Sequence, residues 1–235
     1  MPTAVTVMAI ITDPGLARRR LWQLVSPTLP VGAYSYSGGL EWAIEAGWVA
    51  DEAAVADWIQ GQLDHTLGRV DIPLLHRLYI AWQTGDTDAV EELSAWLGAS
   101  RETHELRAED RQLGHALARL LTELDLDEAE AWSRHPDATW ATLFALALAR
   151  WRIPIEEGAE ASLWSWCDNQ IAAAIKLVPL GQTAGQRLLY HLAPAIGQAT
   201  RAGLAHEDIA IGGTAPGVAI ASALHETQYS RLFRS

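Results

Sequence analysis

The stretch DEAAVADWIQGQLDHTL, residues 51–67, sets apolar Val55, Trp58, Ile59, Leu63 and Leu67 at steps of three and four. That period winds all five side chains onto one face of an α-helix. Asp51 and Glu52 stand at its front, where negative charge complements the positive end of the helix dipole. The pattern repeats outward in both directions. Helices are expected over about residues 16–25, 38–46, 71–83, 87–97, 101–124, 137–151, 157–178, 183–202 and 216–231, punctuated by Gly47, Gly68, Gly85, Gly98, Pro136, Pro154 and Gly181. No segment alternates with period two, and no linker, compositional break or solenoid-length repeat divides the chain. The expectation is therefore an all-α single domain of about ten helices. Residues 1–14 are expected to form a flexible leader, residues 15–235 the helical domain, and residues 216–235 a docking helix and tail.

Composition narrows the function. A hydrophobic content of 49% against 20% charged residues supports a buried core and excludes disorder throughout. Seventeen basic against twenty-nine acidic side chains give a formal charge of −12, a field that repels nucleic acid and anionic lipid and attracts a basic protein. The single cysteine, Cys167, rules out an internal disulfide framework and suits a reducing compartment, with the cytoplasm as the default. The apolar run Ala4 to Ile11 has no positive charge before it and Arg18-Arg19-Arg20 after it, the reverse of a secretory signal. No apolar run approaches the roughly 18 residues that cross a bilayer, so no membrane role is expected. The eleven tryptophans are scattered from Trp22 to Trp166 and read as core or interface bulk, not as base-stacking platforms.

Three places break the helical pattern: the Pro/Gly/Tyr/Ser loop at 26–39, the Pro179-Leu180-Gly181-Gln182 break, and the Gly212-Gly213-Thr214-Ala215-Pro216 link expected to free the terminal helix from the body. The first loop carries Tyr34, Ser35, Tyr36 and Ser37 into a helix with Ser37 placed as its N-cap, a setting that suits an anion. It has no lysine at the spacing a phosphate-cradling loop requires, so nucleotide hydrolysis is not expected of this chain. The last fifteen residues, Ala221 to Ser235, hold two arginines, a tyrosine, a phenylalanine and Glu226, the mixture that binding surfaces favour.

Other constellations are weaker. Within residues 101–111, Arg101 with Glu105 and Arg107 with Asp110 have helical pair spacing, while Arg107 and Arg111 stack as like charges that something outside the helix would balance. One helix face carries Trp164, Cys167, Ile171, Ile175 and Val178; the opposite face presents Asn169, Ala172, Ala173 and Lys176, small enough for close approach and with Lys176 as a candidate anchor. No two of the eight histidines have the i,i+4 or His-x-His spacing of a metal pair, so no metal site is expected. Cys167 on a buried stripe and the absence of a Gly-x-Ser-x-Gly elbow leave no nucleophile. An acid–base enzyme using His225 and Glu226 is the main rival, and adjacent helical residues point about 100° apart, which disfavours it.

Four stretches, in order, resemble the urease accessory protein UreF family: SPTLPVGAYSYSGGLE at 26–41, SRETHELRAEDRQLGHAL at 100–117, NQIAAAIKLVPLGQTAGQRLL at 169–189, and the tail SALHETQYSRLFRS at 222–235. The likeness runs from about Leu21 to the last residue. It implies an all-helical, homodimeric, non-catalytic factor without a cofactor of its own. Such a factor bridges the accessory protein UreD (UreH in some bacteria) and the GTPase UreG, regulates that GTPase, and serves nickel delivery to apo-urease. On the family pattern, the partner-binding residues would be Tyr34, Ser35, Ser37 and Glu41 in the first loop, Lys176 and Gln182 in the third stretch, and Glu226, Tyr229 and Arg231 in the tail. Arg107, Asp110 and Arg111 join them from the second stretch. Tyr34 and Arg231 are expected to meet. Gly38 stands where a polar or bulky residue is often expected.

Overall fold

The computed structural model describes residues 14–235, so the expected leader at 1–14 lies outside the described residues but for the backbone of Pro14. Ten α-helices follow among the described residues: α1 Pro14–Leu24, α2 Leu40–Glu45, α3 Glu52–Gln62, α4 Ile72–Thr84, α5 Thr87–Ala99, α6 His104–Glu123, α7 Trp140–Arg150, α8 Ile155–Leu177, α9 Gln182–Leu204 and α10 Pro216–His225. No strand occurs among them, so the all-α expectation holds.

The centre of the molecule is α7. Residues 141–149 of its WATLFALALAR sequence are all buried, and a helix apolar on every side belongs inside a domain. Helices α4, α5 and α6 pack around it, and α8 and α9 pair beside α4. Gly114 lets α6 run close to the start of α7, because a Cβ there would lie 2.8 Å from the Thr139 carbonyl carbon. Side-chain caps fix where helices begin. Asp51 accepts from Ala54 N–H at 2.9 Å, Asp86 from Ala89 N–H at 3.0 Å, Thr103 from Leu106 N–H at 3.1 Å and Thr139 from Thr142 N–H at 3.2 Å.

Between α3 and α4 the chain stays helical but widens into a π-helical stretch, Leu63–Asp71. Pro73 gives the reason: it has no N–H for the carbonyl of Arg69, and its ring crowds that carbonyl, so the backbone before it unwinds. The freed Arg69 carbonyl accepts from Gly212 N–H at 3.2 Å. Thr214 also donates to Glu102 at 3.0 Å. The 212–216 link, expected to free the terminal helix, is therefore tied to the body.

Other expectations are corrected. The helix expected from 101 begins at His104, because Thr103 caps it, so Arg101 lies outside the helix and does not pair with Glu105. Arg107 donates to the Arg101 carbonyl at 2.6 Å in place of Asp110. The residue before α2 is Gly39 at φ +84°, so Ser37 stands two positions upstream of the N-cap place, although its hydroxyl still accepts from Glu41 N–H in the first turn at 3.3 Å. On α8, Trp164 is exposed and Ala173 is buried, the reverse of their assigned faces; Cys167, Ile171 and Val178 are buried as expected. The terminal helix ends at His225, not 231.

Candidate functional site

The first loop turns sharply at Gly38 (φ +60°) and Gly39 (φ +84°), a conformation that favours glycine over the bulkier residue expected at 38. A Cβ at Gly39 would lie 2.8 Å from the Ser222 nitrogen, so α10 packs directly against the backbone of this turn. The turn delivers Ser37 and Glu41 to the interior. Ser37 donates to the Ser235 carbonyl and accepts from Glu41 N–H at 3.3 Å. Asn169 of α8 donates to the Ala33 carbonyl at 3.2 Å and pins the loop from behind.

The start of α6 forms the second wall. Arg101 grips Asp71 with two bonds, at 2.6 and 3.2 Å, and reaches Asp110 at 2.8 Å. Asp110 in turn accepts from Trp140 N–H at 2.8 Å, so this ion cluster locks α6 to the π-helical stretch and to α7. Two turns of α6 then present Glu105, Glu109 and Gln112. Gln112 accepts from Tyr36 Oη at 2.5 Å, and Glu109 accepts from Ser235 Oγ at 2.6 Å. Burial pushes the Glu109 carboxyl up to about 7, against the lowering effect of the Ser235 hydroxyl.

The terminal segment closes the cluster. The wholly buried His225 imidazole stands between two carboxylates, Nδ1 at 2.7 Å from Glu105 Oε2 and Nε2 at 3.2 Å from Glu41 Oε2. Glu41 also accepts from Leu232 N–H at 2.6 Å and Phe233 N–H at 2.9 Å. Arg231 donates to Glu105 Oε1 at 2.8 Å. Glu226 accepts from His104 N–H at 3.1 Å and Glu105 N–H at 3.4 Å, placing negative charge at the N-terminus of α6. Phe233 is buried with the Lys176 ammonium 5.3 Å from its ring centroid. The segment is thus folded onto its own domain, while Ile220, Leu224, Tyr229 and Leu232 point outward at 50%, 41%, 105% and 64% exposure.

Comparison with known proteins decides what this convergence belongs to. The UreF family model matches residues 49–193. A urease accessory protein UreF of Alkalilimnicola ehrlichii is 66% identical over 228 residues, covering 97% of this chain and all of that protein. The chain belongs to the UreF family of urease accessory proteins. UreF of Hahella chejuensis is 47% identical over 94% of this chain and all of that protein, and UreF 2 of Brucella anthropi is 45% identical over 95% and 98%.

All four stretches that resemble UreF meet in this one cluster, although 184 positions separate Glu41 from His225. Of the residues singled out from sequence, Ser37, Glu41, Asp110, Glu226 and Arg231 are in the hydrogen-bonded network, and the Ser35 carbonyl accepts from Arg234 N–H at 2.8 Å. Lys176 touches the tail through Phe233. Tyr34, Arg111, Gln182 and Tyr229 are exposed. The anticipated Tyr34–Arg231 meeting is replaced: Arg231 reaches Glu105, and it is Tyr36 that turns inward. Sequence reasoning paired Arg101 with Glu105 and gave neither a place in the site, and it missed Glu109 and the inward role of His225. The histidine and Glu226 do diverge, as the helical 100° step requires, one to the carboxylates and the other to the α6 terminus.

Proposed function

We propose that this UreF-family chain is a non-catalytic, cytoplasmic homodimer that bridges UreD (UreH) and the GTPase UreG, and so enables nickel insertion into apo-urease. Nickel is cargo here, held by the partner proteins, and the bridging position gives the chain a means to regulate the GTPase. The observation that carries the reading is the outward apolar set Ile220, Leu224, Tyr229 and Leu232, fixed in place by the buried polar contacts beneath it. Four large apolar side chains left exposed on one short, ordered segment support a protein–protein contact there. The formal charge of −12 favours basic partner surfaces. Tyr34, Ser35, Ser37, Glu41, Arg107, Asp110, Arg111, Lys176, Gln182, Glu226, Tyr229 and Arg231 are assigned to partner binding in this reading, the exposed ones by contact and the buried ones by holding the surface.

The test is to mix the purified chain with its cognate UreD and with UreG plus a GTP analogue, and to weigh the products by size exclusion with light scattering. A stoichiometric complex containing two copies of the chain is expected. A chain that elutes alone under those conditions overturns the reading.

A further inference from the structure

We propose that the cavity between the first loop, the π-helical stretch, α6 and α8 is a binding site for a small organic cation, a primary ammonium or guanidinium carried on an apolar body. The site is separate from the outward face of the terminal segment, and the proposal does not depend on the bridging reading.

The cavity measures about 320 Å³, at the small end of the range that ligand sites occupy. Its walls are mostly apolar, with Val31 from the first loop, Leu67 from the π-helical stretch, Leu106 and Leu113 from α6, and Trp166 from α8. The exposed Tyr34 and Glu102 also line it, so it opens to solvent. A cavity of about 150 Å³ holds benzene, so one of roughly twice that volume takes a ligand of about twelve non-hydrogen atoms.

Two acceptors at one end lack a partner. Gln170 of α8 is 3% exposed and lines the cavity, and its Oε1 has no hydrogen-bond donor among the described residues. A buried carbonyl oxygen left without a donor is costly, and an N–H from a ligand removes that cost. Glu109 of α6 lines the same cavity. It accepts from the Ser235 hydroxyl at 2.6 Å, and none of the ion pairs among the described residues includes it. The Gly38 turn places the two together. A Cβ on Gly38 would lie 3.7 Å from Gln170 Nε2, and Gly38 N–H donates at 3.4 Å to the same Ser235 hydroxyl that Glu109 holds.

Charge selects the head of the ligand. Asp71, Glu102, Glu109, Asp110 and Asp168 line the cavity against one cation, Arg101, whose guanidinium is already engaged by Asp71 and Asp110. That set repels an anion, and a neutral head gains only the bond to Gln170. An ammonium or guanidinium donates to Gln170 Oε1 and pairs with Glu109, a charge-assisted contact stronger than a neutral one.

Three probes with one apolar body and different heads test this: 4-phenylbutylamine, 4-phenylbutan-1-ol and 4-phenylbutyrate, titrated against the full chain by ligand-observed NMR at pH 8, above the value of about 7 to which burial raises Glu109. The amine is expected to bind with a Kd of about 1 mM or tighter, the alcohol at least about tenfold more weakly, and the carboxylate not measurably. In Gln170→Leu, amine binding is expected to weaken at least about tenfold with helix content unchanged by circular dichroism. In Glu109→Gln, the amine is expected to lose its advantage over the alcohol. Absence of amine binding at several millimolar, or equal affinity for amine and carboxylate, overturns the proposal in the unmodified chain alone, whether or not a variant folds. So does undiminished amine binding in a folded Gln170→Leu, or a preference for the amine that survives in Glu109→Gln. The chain is measured without partners, so failure here is distinct from failure of the assembly experiment.

Discussion

Replacing Arg101 by methionine removes the cation that bridges Asp71 and Asp110 and keeps a similar apolar stem. In the folded chain, Arg101 makes three charged hydrogen bonds, and the side chains of Asp71 and Asp110 are 16% and 9% exposed. Without the guanidinium, two mostly buried carboxylates face each other unbalanced. Breaking a buried ion cluster on one side costs about 3–5 kcal/mol, chiefly from the charge left behind. Arg101 is itself about one-fifth exposed, so the lower half of that range is expected. Urea unfolding followed by circular dichroism at pH 7 measures it. The control is the triple variant Arg101→Met, Asp71→Asn, Asp110→Asn, which removes the stranded charges and retains an oxygen to accept from Trp140 N–H. It should recover at least half of the loss. A single variant within about 1 kcal/mol of the unmodified chain, or a triple variant no better than the single, refutes the assignment of Arg101 as the lock between α6, α7 and the π-helical stretch.

Four further outcomes are expected. Burial raises Glu109 from 4.5 to about 7, so the folded chain holds a proton that the unfolded chain releases. That contribution is complete below about pH 4.5 and is lost as pH rises through 7, a fall of up to about 3 kcal/mol, and Glu109→Gln should remove most of the corresponding shift in urea midpoint between pH 5 and 8. Gly39→Ala combines a φ of +84° with a Cβ 2.8 Å from the Ser222 nitrogen and should cost at least about 2 kcal/mol. Gly47→Ala, at φ +75° in open space, should cost only about 1 kcal/mol by the same measurement. Cys167 is buried with its thiol pushed up to about 12, so native protein at pH 8 should resist iodoacetamide and become labelled only in denaturant.

The helices were legible because each buries a local stripe whose period lies in consecutive residues. The stretch at 51–67 shows both the reach and the limit of that signal. Its apolar face is real, but the widening at Leu63 is set by Pro73, ten positions on, and by Gly212, which takes up the stranded carbonyl. The start of α6 lies three residues beyond the expected 101, because the Thr103 side-chain cap decides the boundary and the charge spacing of Arg101 and Glu105 does not. The terminal helix stops early, and the chain beyond it bends back so that Glu41 receives the Leu232 and Phe233 amides, a course that no local propensity encodes. Site residues divide along the same line. The loop and the tail stood out by composition, whereas His225 is defined by two carboxylates more than a hundred positions away in sequence.

The most direct measurement of the central claim is assembly by the variant Ile220→Ser, Leu224→Ser, Tyr229→Ala, Leu232→Ser, which alters the exposed face and none of the hydrogen-bonding side chains beneath it. Light scattering of this variant with UreD, UreG and a GTP analogue, alongside circular dichroism of the variant alone, should give unchanged helix content and no complex of the three. A full-size complex from the folded variant contradicts the assignment of the terminal segment as the docking surface.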